Sequence, residues 1–283
     1  MRNLQNEGGQ MPKNSRGGKA GSSATQSQAQ QSAILTQRRQ QRQAQAQQRA
    51  AQTIQQAQQQ AQQQGYNPLT QTQIQQNVQA QDDYLATQDI MTRYVLKQYG
   101  RGDQQTGGFS RSQNLNNKLQ TSSGDLTKAN LDQTEKKMVK YMDQAMHPLK
   151  QDTLLVRGDH AIHPSGSGLM QRLGVANYQN MSQSQLNAAL VGKTWTEHKY
   201  LSTSYDVTKN VFLQGNQSGG RSLVWNIKAK SGTNYVQARA DQAEYVLARG
   251  GQYRITGARF TGATVHPRAG GSLKQLVIDV EVL

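Results

Sequence analysis

Three short groups of polar side chains in the C-terminal half of the chain are candidates for chemistry. Arg157 ends an apolar run, a Ser-Thr-Ser triplet fills positions 202–204, and Gln242 and Glu244 flank one alanine. Each group lies at or beside a strand-like stretch, and the gap of about forty residues between groups leaves room for elements that bring them to one cleft. A guanidinium can bind phosphate with two hydrogen bonds. A carboxylate beside a ribose can accept its hydroxyl and stabilise an oxocarbenium-like transition state. The set therefore suits a substrate that contains a pyrophosphate and a ribose.

The ordered set resembles the arginine–serine–glutamate class of mono-ADP-ribosyltransferases, which includes clostridial binary and C3-like toxins and phage-encoded enzymes. The resemblance extends over residues from about 83 to 283. The segments that match are Thr153–Gly158, Tyr200–Ser204, Gln242–Gly250, Asn114–Leu119, Leu131–Met146 and Pro148–Leu149. The resemblance implies a transferase that moves ADP-ribose from NAD to a protein acceptor, with NAD glycohydrolase activity on the side. NAD is then a substrate, and no metal is required.

The resemblance also implies a role for each candidate residue. Arg157 would contact the NAD phosphates, and Gly158 would let the ligand approach the backbone. Glu244 would bind the nicotinamide ribose and stabilise positive charge, while Ser202 positions that carboxylate. Gln242 would face the acceptor, on the same side as Glu244 if the chain there is extended, and a glutamine resembles the branch that modifies asparagine. The other implied contacts with NAD are Thr203, Ser204 and Phe212.

Each candidate also has an ordinary structural interpretation. Arg157 fits a surface residue at a strand end, Ser-Thr-Ser is common in strands, and Phe212 fits a core residue equally well. Gln242 and Glu244 would also fit an exposed loop of a glutamine-rich protein. The favoured interpretation therefore depends on the whole ordered set. The pair His160 and His163 lacks a nearby third ligand, so no metal site is expected.

Residues 1–65 form a basic, low-complexity arm that is rich in Gln, Ala and Arg. The net charge of the whole chain is +15, and only Glu7 is acidic before Asp82. We expect residues 1–27 to be disordered and residues 28–64 to form a helix without an apolar stripe. Such an arm is attracted to DNA or to anionic surfaces, although a solubilising tail is an equal alternative.

The rest of the chain predicts an α+β fold. Residues 66–82 are a linker and helix start, and 83–283 form the catalytic domain. One helix is expected over 70–99 and another over 131–146, started from Asp125, with a loop over 100–112 between them. Recurrent strand signals follow from residue 153 onward. Together with the resemblance, they predict a split, two-sheet, mostly antiparallel β-core behind a helical lead-in.

The composition also bears on where the protein acts. It has no cysteine, which excludes disulfides and thiolate sites, and no apolar stretch long enough to span a membrane or to form a Sec signal. We expect a virion-associated or ejected phage protein, or an effector delivered to the cytoplasm of a target cell. The alternative is a non-enzymatic structural or nucleic-acid-associated virion protein that carries a degenerate transferase domain.

Overall fold

The computed structural model describes residues 21–63, 69–101, 111–162, 168–205, 221–239, 243–265 and 272–283. Two predicted site residues, Phe212 and Gln242, lie outside these ranges. The chain divides into two compact units, Met1–Gln45 and Ala46–Leu283. The described part of the first unit is helical, and the strands of the described residues belong to the second.

Helix α1 (Gly21–Gln63) is the predicted helix of the N-terminal arm, and it begins earlier than expected. Residues 21–27 were predicted to be disordered but are helical, in keeping with the helix-forming Ala and Gln of this region. In the second unit, Ile54 of α1 packs against Val224 and Val277 of the sheet. None of the described helices is long and apolar enough to cross a lipid bilayer.

Between α1 and the sheet the described residues form four helices, where the sequence predicted two. They are α2 (Gln71–Thr87), α3 (Ile90–Arg101), α4 (Arg111–Thr121) and α5 (Gln133–Ala145). The prediction of one helix over 70–99 was wrong because Gln88 is extended and the Asp89 carboxylate accepts a hydrogen bond from the Thr92 amide, which starts a new helix. Residues 114–119, which by the resemblance would form a loop before the next helix, lie within helix α4. The next helix starts at the capping box of Asp132 and Glu135 rather than at Asp125.

The strands form one nine-stranded mixed sheet in the order β1-β6-β7-β4-β2-β5-β9-β8-β3. Their bounds are β1 (His147–Pro148), β2 (Thr153–Asp159), β3 (Thr194–Glu197), β4 (Leu201–Ser204), β5 (Leu223–Ala229), β6 (Asn234–Arg239), β7 (Glu244–Leu247), β8 (Gly251–Val265) and β9 (Leu273–Val282). Two short helices, α6 (Leu169–Arg172) and α7 (Gln183–Leu190), lie between β2 and β3. The α+β class is confirmed. The two predicted sheets are one, because β2 and β4 join through the pair Val156↔Ser204.

The two largest apolar clusters of the described residues pack on opposite faces of the sheet. The larger one lines one face and includes Leu155, Trp225 and Ile227. The smaller one packs α3, α4 and α5 against the other face of the β4–β7–β6 half, where Val236 and Val246 point toward the helices. The helical lead-in therefore covers the part of the sheet that carries the candidate catalytic strands.

Candidate active site

Arg157 lies at the joint between β2 and β4. Its Nη1 donates a hydrogen bond to the carbonyl oxygen of Ser202 at 2.6 Å, and its Nε donates to Asp159 Oδ2 at 3.1 Å. The side chain therefore spans the gap that the single pair of residues leaves between the strands. The guanidinium is held by two different groups, which fixes its plane.

The charges around Arg157 keep the ion pair intact. Burial lowers the pKa of Arg157, but the carboxylates of Asp159 and Glu197 outweigh burial and raise it above its ordinary value. Burial would raise the pKa of Asp159, yet the charges of Arg157 and Lys199 lower that pKa well below its usual range. Both groups are therefore charged at neutral pH.

Glu244 begins β7 and is largely buried, with a fractional exposure of 9%. It pairs with Ser204 of β4 on one side and with Arg239 of β6 on the other. The strand lies between two neighbours, so the carboxylate is held on a rigid element. That is what a group acting on a developing charge requires.

The residue before Glu244 makes a sharp turn. Ala243 has φ +51°, in the left-handed region that side chains rarely adopt, and it is buried. Its carbonyl oxygen accepts a hydrogen bond from the Tyr205 amide at 3.1 Å, which ties the turn to the end of β4. The backbone is therefore not extended at 243. The period-two argument that put Gln242 on the same side as Glu244 does not apply.

Ser202, Ser204 and Glu244 share the face of the sheet that the helices cover. Ser204 is paired with Glu244, and side chains alternate along a strand, so Ser202 projects to the same side as Ser204. Thr203 projects to the opposite face, where its hydroxyl donates to the Tyr245 carbonyl oxygen at 2.7 Å. The structure thus brings the two serines and Glu244 together and leaves the Thr203 side chain on the other side.

Gly158 is a buried residue of β2. It is paired with Val224 of β5, and it lies next to Arg157 as the sequence predicted. Among the described residues, no group of His, Cys, Asp and Glu could hold a metal ion.

Sequence reasoning missed Tyr99 of α3, whose hydroxyl reaches this site. Asn116 Nδ2 of α4 donates to the Tyr99 hydroxyl at 2.8 Å. Burial raises the pKa of Tyr99 above its ordinary value, and the nearby carboxylate of Glu244 raises it further, whereas hydrogen bonding with Asn116 and Ser202 opposes the rise. The phenol therefore stays protonated beside the candidate catalytic groups.

Asn116 also fixes β4 to the helices. Its Oδ1 accepts a hydrogen bond from the Tyr200 amide at 3.1 Å, just before β4 begins. The Tyr200 hydroxyl donates to Asp143 Oδ1 at 2.6 Å, and Asp143 is bridged by Arg249 after β7. A continuous polar network thus connects α4, α5, β4 and β7. The sequence carried one signal for it, the polar Asn116 on a helix whose leucines are buried.

The chain is similar to known ADP-ribosylating proteins. A family model described as ADP-ribosyltransferase exoenzyme matches residues 104–283. No curated protein matches the chain in sequence.

Solved structures agree with that match. An ADP-ribosyltransferase from Clostridium botulinum superposes with a TM-score of 0.52 at 20% identity, covering 77% of this chain and 98% of that one. The Clostridium limosum C3 exoenzyme gives 0.52 at 18% identity, covering 77% and 97%. An ADP-ribosylating toxin of a binary enterotoxin of C. perfringens, solved with NADH, gives 0.49 at 15% identity, covering 74% and 48%. At these identities, the first two show a shared fold.

Proposed function

Because the chain belongs to the ADP-ribosyltransferase exoenzyme family, we propose that it transfers ADP-ribose from NAD to a protein acceptor. Enzymes of this family use NAD as substrate. The observation that carries the proposal is that Arg157 bonds to the Ser202 carbonyl oxygen of β4, while Ser202 and Glu244 lie on one face of the paired strands β4 and β7. When water takes the place of the acceptor, the same site hydrolyses NAD.

Arg157 binds the pyrophosphate of NAD. A guanidinium has five N–H donors, and the bonds to Asp159 and to the Ser202 carbonyl leave donors for phosphate oxygens. These two bonds also fix the plane of the fork before NAD arrives, so less freedom is lost on binding. Gly158, Ser204 and Thr203 line the NAD site beside Arg157. Thr203 contributes only its backbone there, because its hydroxyl is bonded to the Tyr245 carbonyl oxygen.

Glu244 acts on the nicotinamide ribose. The bond between ribose C1′ and the nicotinamide nitrogen breaks, and its electron pair leaves with the neutral nicotinamide. The ribose develops oxocarbenium character, which the negative charge of Glu244 stabilises in a partly dehydrated setting. The acceptor nucleophile then bonds to C1′ and loses its proton. Ser202 holds the carboxylate in position.

Gln242 contacts the acceptor protein, and Phe212 packs beside the nicotinamide. A glutamine at 242 favours a neutral amide acceptor such as asparagine over arginine, because an amide can both donate to and accept from another amide. Both roles come from the family resemblance and stand as proposals.

Replacing Glu244 by glutamine tests the enzymatic role. The change keeps the size of the side chain and removes its charge, so hydrolysis of etheno-NAD by the full chain should fall about 10²–10³-fold or more. The midpoint of thermal unfolding of the Glu244→Gln variant should stay within a few degrees of that of the wild type. The matched control is Glu281→Gln on β9, where the carboxylate pairs with the half-exposed Arg254 of β8. This control variant should hydrolyse etheno-NAD at the wild-type rate.

Two results would contradict the proposal. Equal turnover by wild type and Glu244→Gln would remove Glu244 from the mechanism. Absence of turnover in both, with labelled NAD and lysate also giving no protein modification, would favour the alternative of a structural virion protein with a degenerate domain.

We also propose that the protein travels in a phage virion and is ejected, or that it is delivered as an effector into the cytoplasm of a target cell. The basic helix α1 supports this setting, because its exposed residues Arg38, Arg39 and Arg42 suit contact with DNA. Mass spectrometry of purified particles is the test. Detection only in free lysate would contradict the virion setting.

A further inference from the structure

The outer face of α3 exposes three large apolar side chains. Ile90, Met91 and Tyr94 have fractional exposures of 75%, 41% and 55%. Tyr94 lies four positions after Ile90 and three after Met91, so they form one continuous surface on the first turns of the helix. This surface, the α3 patch, is unusual because apolar side chains of this size are ordinarily covered when they cluster.

The α3 patch is held outward by the fold. The opposite side of the same helix is buried through Thr92, Val95, Leu96 and Tyr99. The Asp89 carboxylate caps the helix through the Thr92 amide and hydroxyl. Rotation that buried Ile90 would expose this core, so the orientation of the patch is fixed.

Positive charges surround the α3 patch. Exposed Arg93 and Lys97 lie on α3 itself. Helix α5 packs beside α3 and presents the exposed lysines 136, 137 and 140. Lys140 lies near the start of α3. The Thr92 amide is the main cause of the lowered pKa of Asp89, and the charge of Lys140 adds to that effect.

The carboxylates on α5 and at the starts of α3 and α5 are already engaged. Asp89 caps α3, Asp132 caps α5, Glu135 is buried and paired with Lys118, and Asp143 is bridged by Arg249. The surface around the α3 patch therefore offers positive charge to a partner with negative charge.

We propose that this face docks on an anionic lipid surface, with the α3 patch entering the headgroup region and the cations of α3 and α5 contacting lipid phosphates. An apolar centre with a basic rim on a helix is the arrangement of interfacial membrane binding. The prevalence of lysine favours lipid over a protein partner, since lysine is depleted in protein interfaces. No described helix spans a bilayer, so the attachment is peripheral.

The first experiment compares vesicles of phosphatidylcholine with vesicles that also contain about 30% phosphatidylserine, at about 0.15 M salt. The full chain should sediment with the anionic vesicles only. The triple variant Ile90→Ser, Met91→Ser and Tyr94→Ser should bind at least about tenfold more weakly, because the apolar burial is lost. The control Leu126→Ser with Val191→Ser removes two exposed apolar side chains elsewhere and should bind like the wild type.

A second readout excludes attachment through the basic residues of α1. In the variant Tyr94→Trp, the new indole should shift its emission to the blue with anionic vesicles and be quenched by brominated lipid. The same substitution at Tyr141, which is only partly exposed on α5, is the matched control and should respond less. A triple serine variant that binds anionic vesicles as tightly as the wild type, or an indole at 94 that does not respond, would overturn the proposal. So would a wild-type chain that ignores anionic vesicles, an outcome that would assign the patch to an acidic protein instead.

Discussion

Strand β2 has a neighbour on each edge, and it pairs with the two very differently. Along β5 the pairing runs without interruption from Thr153↔Ala229 to Asp159↔Leu223. Along β4 the described residues form the single pair Val156↔Ser204. One strand thus belongs to a closed ladder on one side and to a nearly open joint on the other.

The two edges also differ in what fills them. Every residue of β5 is buried, and its core face is apolar. At the joint with β4, the Ser202 carbonyl accepts its bond from the Arg157 side chain. One backbone carbonyl of β4 is thus bonded to the side chain that is proposed to bind NAD, instead of to a backbone amide of β2. Strand β2 is therefore anchored in the sheet through its β5 edge, and its β4 edge carries the residues proposed to bind NAD.

The largest effect should come from weakening the closed edge. Ile227 on β5 is fully buried, so Ile227→Ala should lower the free energy of unfolding by about 2–5 kcal/mol, measured by urea denaturation. Ile227→Val, which removes one methylene, should lower it by only about 0.5–1.5 kcal/mol. Turnover of etheno-NAD per folded molecule should remain near that of the wild type in both variants. A hundredfold loss of turnover in still-folded Ile227→Ala would break the comparison.

Arg157→Lys tests the open edge. The ammonium keeps the charge but cannot hold both Asp159 and the Ser202 carbonyl in the geometry of the planar fork. We expect kcat/KM for NAD to fall about 10–100-fold, or about 1.4–2.7 kcal/mol, with most of the loss in KM. The unfolding midpoint should change little in comparison with Ile227→Ala.

The matched control for Arg157→Lys lies on the far side of the sheet. Arg254 on β8 pairs with Glu281 of β9 and is half-exposed, so Arg254→Lys should leave KM unchanged. A KM for Arg157→Lys that equals this control would mean that the guanidinium at the joint does not bind NAD.

Much of the sheet could be predicted from the sequence, because strands such as β2, β5 and β9 are apolar runs that no helix period fits. The break at Gln88 could not, since no Gly or Pro marks it and one carboxylate, Asp89, starts the new helix. The union of two predicted sheets into one depends on a single pair, Val156↔Ser204. A contact that long-range leaves no trace in local periodicity.

The site divides in the same way. Arg157, Ser202 and Glu244 could be named because each lies at a strand in a recognisable order, and their roles in catalysis stay a prediction. Tyr99 could not, since a buried tyrosine on an amphipathic helix has the same pattern whether or not its hydroxyl reaches a polar cluster. That distinction requires the partner Asn116 of another helix.

The smallest effect concerns two neighbours within the open edge. Ser202 faces the helices and the site, whereas Thr203 faces the core and donates to the Tyr245 carbonyl oxygen. Thr203→Val keeps the shape and removes that bond, so it should cost about 1 kcal/mol of stability and leave kcat unchanged. Ser202→Ala should lower kcat about tenfold or more, because Glu244 loses a positioning contact, and leave the unfolding midpoint in place. Etheno-NAD assays and urea denaturation of both variants, made side by side, measure the split. A lower kcat for Thr203→Val than for Ser202→Ala would contradict this division. It would mean that side chains on both faces of β4 contribute to catalysis.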